Sequence, residues 1–93
     1  MFDAQKEKMA ESPMWVNLSG LPIPFWTYSS FHSIGKTLGQ FLDVDMSFLQ
    51  TRDLSVARIL VNLNLREGLA DAMSLRYMDF EYLQTLDYEH LPF

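Results

Sequence analysis

Apolar and polar residues alternate most densely over residues 56–63, where Ala57, Ile59, Val61 and Leu63 fall on one face of a period-2 strand and Val56, Arg58, Leu60 and Asn62 on the other. One face is wholly apolar and the other mixed, as in a sheet covered on one side. This is the only stretch dense enough in β-branched residues to predict a central strand, and the other elements are placed around it. Residues 14–18 predict a short strand, with Val16 and Leu18 pointing one way and Trp15 and Asn17 the other, until Ser19-Gly20 breaks it. Two prolines without backbone donors make residues 21–24 a fixed elbow, neither helical nor a paired central strand. From Trp26 the period becomes helical. Tyr28, Phe31, Ile34 and Leu38 share a stripe, Thr27 is placed to cap the helix, and Gly39 stands where a left-handed terminal residue is expected.

Downstream, Leu42 and Val44 alternate with Phe41, Asp43 and Asp45 as a second strand, and residues 46–54 read as a long connection. Arg66-Glu67-Gly68 closes the central strand, and residues 69–73 suggest a helical turn. Residues 74–78 and 80–88 predict an aromatic hairpin turning at Met78-Asp79, with Phe80, Tyr82, Gln84, Leu86 and Tyr88 on one face. Its turn lacks the Asn-Gly or Asp-Gly signal. Residues 1–13, with alternating charges and Ser12-Pro13, read as a linker or frayed segment, leaving residues 14–93 as a single domain. The expected fold is α+β: a small mixed sheet with one main helix packed on Val16, Leu18, Val44, Ile59 and Val61, and a C-terminal aromatic β-hairpin.

Composition sharpens this picture in three ways. At 93 residues the chain has enough length for one core, since domains this small bury only about 60–65% of their unfolded surface. Apolar residues make up 48% of the chain, so it folds, yet no apolar run reaches the roughly 20 residues of a membrane span. Cysteine is absent, which removes disulfides, thiolate metal sites and thiol nucleophiles, and no signal segment opens the chain, so an intracellular location is expected, nucleus or cytoplasm undetermined. Twelve acidic residues against seven basic give a net charge of -5, which repels a phosphate backbone unless the few cations are gathered together.

Several short motifs recur in one order: Trp15-Val16-x-Leu18-x-Gly20-Leu21-Pro22, Phe25-Trp26, Ile34-Gly35, Leu38-Gly39, Val44-Asp45, Ala57-Arg58-Ile59-x-Val61, and Asp87-Tyr88-Glu89-x-Leu91-Pro92. Together they resemble a plant domain of unknown function found in Gag-like proteins of LINE-type retrotransposons and their genomic relics. The resemblance implies an RRM-like, RNA-associated region that normally precedes a CCHC zinc knuckle, and hence a fragment of a larger retrotransposon-derived protein. Relatives of this kind often carry more basic residues before the Ala-Arg motif, where this chain has Thr51, Arg52, Asp53, Leu54 and Ser55.

RRM sheets stack bases on aromatics exposed from two central strands. The resemblance therefore makes Trp15 and Arg58 the candidate stacking pair, Asn17 and Asn62 candidate readers of base edges, and Arg52 a candidate phosphate contact. The bland alternative has Trp15 covered by the hairpin and Arg58 paired with a carboxylate, and it is favoured by about two to one on charge grounds. Gly35-Lys36-Thr37 echoes a phosphate loop but lies inside the predicted helix, with Ser30 where the loop needs glycine. His32 and His90 have no partner set for a metal or a nucleophile. Asp43 with Asp45, and Asp87 with Glu89, are paired on strand faces; solvated charges that deter edge pairing explain them better than catalysis or a divalent ion. The Asn17-Leu18-Ser19 sequon is moot without secretion. No catalytic residue, cofactor, metal or small-molecule substrate is expected, and no membrane partner. The functional expectation is a non-catalytic RNA-associated module that meets single-stranded RNA within a larger protein and binds it weakly alone. The alternative is a packing or self-association module.

Overall fold

The computed structural model describes residues 11–89; residues 1–10, and with them most of the expected linker, lie outside that range. Six strands are formed: β1 (Glu11–Ser19), β2 (Gln40–Val44), β3 (Val56–Asn64), β4 (Ala72–Tyr77), β5 (Phe80–Thr85) and β6 (Asp87–Glu89). The main helix is α1 (Tyr28–Leu38), and a single turn, α2 (Phe48–Thr51), interrupts the long connection before β3. Four strands make one sheet in the order β2-β3-β1-β6, and β4 and β5 pair separately as a hairpin. Every pairing is antiparallel. The expected mixed sheet is corrected here. The α1 crossover does return the chain parallel to β1, but β3 lies between β1 and β2 and is antiparallel to both.

The alternation read from the sequence sets the inner face. Met14, Val16 and Leu18 of β1 and Ala57, Ile59, Val61 and Leu63 of β3 are all buried, joined by Val44 from β2. Phe31 and Ile34 of α1 close the core from above, and Leu75 and Leu86 bring the hairpin region into the same cluster. Fully burying an aliphatic side chain of this kind stabilises the fold by about 1.5–3 kcal/mol, so this stripe dominates the energetics. Thr27 caps α1 as expected, its hydroxyl accepting from the Ser30 amide at 3.1 Å.

Local expectations fail where long-range packing overrides them. β1 begins at Glu11, ahead of the predicted start, because β3 extends to Asn64 and offers it a partner. The proline elbow contains one 3-10 turn, Ile23–Phe25, whose first turn tolerates proline because those amides have no helical acceptor. Gly39 has φ 176°, which is extended rather than left-handed; its requirement is space, since a Cβ there would collide with the Asn62 carbonyl oxygen. Leu42 points outward, because the register between β2 and β3 shifts between Phe41 and Asp43. That bulge turns the Phe41 ring inward against Gly35, where an added Cβ would meet Phe41 Cδ1 at 2.6 Å. The glycine of the apparent phosphate-loop echo is thus a packing glycine.

Residues 69–73 form no helical turn: residues 69–71 are irregular and Ala72 and Met73 open β4. The predicted strand over residues 80–88 divides at Leu86, whose amide donates to the Asp71 carbonyl, so that β5 pairs with β4 while β6 crosses to pair with β1. Met78, the first residue of the hairpin turn, takes φ 55°, a conformation that tight hairpins demand and that glycine or asparagine usually supplies.

Candidate functional site

Packing of α1 and the hairpin on one side of the sheet leaves the other side open. Because side chains alternate, the outward positions of the two central strands are set by the register of β1 with β3: Pro13 opposite Asn62, Trp15 opposite Leu60 and Asn17 opposite Arg58. β6 adds Asp87 beside Asn17 and Glu89 beside Trp15. On the other edge, Gln40 pairs with Asn62 and Asp43 with Leu60, and Asp45 follows immediately, its amide bonded to the Arg58 carbonyl.

Arg58 organises this face. Its guanidinium carbon lies 4.7 Å from the centroid of the Trp15 ring, a cation–π stack. Its Nε and Nη2 donate to the two carboxylate oxygens of Glu89 at 3.0 and 3.3 Å, and its Nη1 donates to Asp45 Oδ2 at 3.0 Å. The guanidinium is therefore held over the indole by a bidentate fork to Glu89 and a single bond to Asp45. Hydrogen bonds from Ser47 chiefly, and Arg58 after them, hold the Asp45 carboxyl below its ordinary range. The Asn17 amide, then Arg58, does the same for Glu89. The Asn17 side-chain oxygen is buried and has no hydrogen-bond partner.

Of the five candidate contacts, Trp15, Asn17, Arg58 and Asn62 share this face, as their strand positions implied. Arg52 does not join them: it ends α2 in a left-handed conformation, outside the sheet. Trp15 is covered by the Arg58 guanidinium, while the hairpin packs toward the opposite face. Asp43 on β2 and Asp87 on β6 are exposed charges on the two edge strands, where charge discourages pairing with another chain, whereas Asp45, just past β2, and Glu89 are bonded to Arg58 and are not the solvated charges expected. The sequence did not reveal that Asp45 and Glu89, far apart along the chain, converge on one guanidinium. The opposite-charge residue types were visible; their register was not.

Elsewhere, a groove of about 330 Å³ runs between α1 and β4, lined by Ser29, Ser33, Thr37, Met73 and Leu75 among others. A second hollow of about 350 Å³ lies between the end of α1, the residues 67–70 connection and Tyr88. His32 packs against the rings of Tyr28 and Phe41, and His90 lies outside the described residues. Among the described residues no group of three or more acidic, histidine or cysteine side chains is placed to hold a metal ion, and no helix is long and apolar enough to cross a membrane. Comparison with known proteins found no matching family model, no matching curated protein and no matching solved structure.

Proposed function

We propose that this chain is a non-catalytic module of an RNA-associated, retrotransposon-derived Gag-like protein, built as an RRM-like domain and having little affinity of its own for RNA. The order β1-α1-β2-β3-hairpin-β6 supports the architectural part: it follows the split β-α-β-β-α-β plan with a hairpin in place of the second helix. The carrying observation is the Trp15–Arg58 stack on the two central strands, the place from which an RRM presents its base-stacking side chains. Weak affinity follows from the same geometry. The guanidinium already covers the indole and is neutralised by Asp45 and Glu89, so a base would have to displace it against three ionic hydrogen bonds.

Titration of the chain with single-stranded RNA at low and moderate salt tests this reading. A weak, salt-sensitive complex that is lost in both Trp15→Ala and Arg58→Ala is expected. A complex indifferent to both substitutions would overturn it. Absence of binding at low salt, together with concentration-dependent self-association, would leave the second reading, a packing module. That reading is favoured by the apolar hairpin tip, where Tyr77, Met78, Phe80 and Leu83 are all exposed.

A further inference from the structure

The open face of the sheet has no covering element among the described residues, and its charge is one-sided. Around the apolar centre formed by Trp15 and Leu60, its outward positions carry the carboxylates of Glu11, Asp43, Asp45, Asp87 and Glu89. Arg58 is the one cation among those positions. We propose that this face docks a segment of a partner polypeptide rich in arginine and lysine. The proposal goes beyond the RNA-associated reading and stands without it.

Two observations select that occupant. The charge is complementary to a basic chain and opposed to a phosphate backbone. The face already holds one guanidinium, Arg58 over Trp15 with its donors on Glu89 and Asp45, which leaves Glu11, Asp43 and Asp87 as the carboxylates an incoming arginine or lysine would meet. Asp43 and Asp87, on the two edges and unpaired with Arg58, flank the centre and extend the acidic surface across the sheet.

The test is NMR titration of the chain with a short synthetic oligo-arginine peptide at low and moderate salt, with an acidic peptide of equal length and single-stranded RNA beside it. The Trp15 indole signal and the amides of β1 and β3 are expected to move with the basic peptide in a salt-sensitive way, not with the acidic peptide, and less with RNA than with the basic peptide. The double variant Asp43→Asn, Asp87→Asn is expected to weaken binding by about fivefold, the scale of two exposed ion pairs. A control with the same charge change elsewhere, Glu67→Gln with Asp79→Asn, is expected to leave it unchanged, and the unperturbed spectrum of each variant checks its fold. No binding at low salt, equal weakening by the two double variants, or movement of Trp15 with RNA in preference to the basic peptide would each overturn the proposal.

Discussion

The four-stranded sheet and the β4–β5 hairpin contribute to one core, but they are held by different means. β1 and β3 are joined along their whole length by a backbone ladder, and their inner side chains are completely enclosed. The hairpin shares no ladder with that sheet. It is fastened by side chains reaching for carbonyls: Gln84 Nε2 donates to the Ser19 oxygen at 2.8 Å, and the Tyr82 hydroxyl donates to that of Gly20 at 3.4 Å. The Tyr88 hydroxyl anchors the incoming connection by donating to the Ala70 oxygen at 2.7 Å. Leu75 and Leu86 supply apolar anchorage, while the tip projects past the core with Met78 82% exposed. A ladder distributes stability over many bonds, whereas the hairpin concentrates it in a few, so the two regions open at different free energies.

The largest effect is expected from the sheet. Ile59 is fully buried between β1 and β2, and Ile59→Ala is expected to lower global stability by about 2–5 kcal/mol in urea denaturation. Ile34→Ala, on the buried face of α1, belongs to the same range; a loss of less than about 0.5 kcal/mol, the scale of surface changes, would remove α1 from the core. Gln84→Leu comes next. It deprives the Ser19 and Thr85 carbonyls of their donor but also removes the buried, unpaired Gln84 oxygen, so the net loss is expected near 1 kcal/mol, the ordinary worth of such a bond. Amide exchange should show this loss in β4 and β5 with β1 and β3 protected as before. Equal loss in both regions would mean that they open as one unit.

The smallest effect is electrostatic and confined to the open face. The Asp45 and Glu89 carboxyls are held below their unfolded-state values, so their stabilisation is fully present above those values and is lost as pH falls through the depressed folded-state ones. Only acid below the ordinary carboxylate range is therefore expected to weaken the sheet edge and release Arg58 from Trp15, read as a change in the Trp15 indole signal. Because both carboxylates are partly solvent-exposed, the effect on stability is expected to be slight. Arg58→Gln should flatten part of that pH response, leaving the larger contributions of Ser47 to Asp45 and of Asn17 to Glu89.

Periodicity alone made β1, β3 and α1 legible, because each depends on which of its own side chains are apolar. Val16 and Leu18, Ile59 and Val61, and Phe31 and Ile34 identify the buried side without reference to the rest of the chain. The outward grouping of Trp15, Asn17, Arg58 and Asn62 came from the same alternation. What could not be read depends on a partner distant in sequence. Leu42 faces out because Phe41 fits the gap that Gly35 leaves; β5 parts from β6 because Leu86 is tied to Asp71. Arg58 is silenced by carboxylates that only the register of β6 and the turn after β2 bring to it. The antiparallel order is likewise a matter of where β3 inserts, which no local pattern records.

β1 is central in space although it comes early in the chain, and its two neighbours are made late: Trp15 meets Leu60 and Glu89. A ribosome thus releases β1 long before either ladder can form, and the newborn strand must wait with its amides and its apolar side uncovered while α1 and β2 emerge. Pairing across such sequence distances is slow, since the loop between the partners must first be closed. During that interval another nascent copy can present the same open strand, a hazard of crowded synthesis distinct from the exposed hairpin tip of the finished molecule.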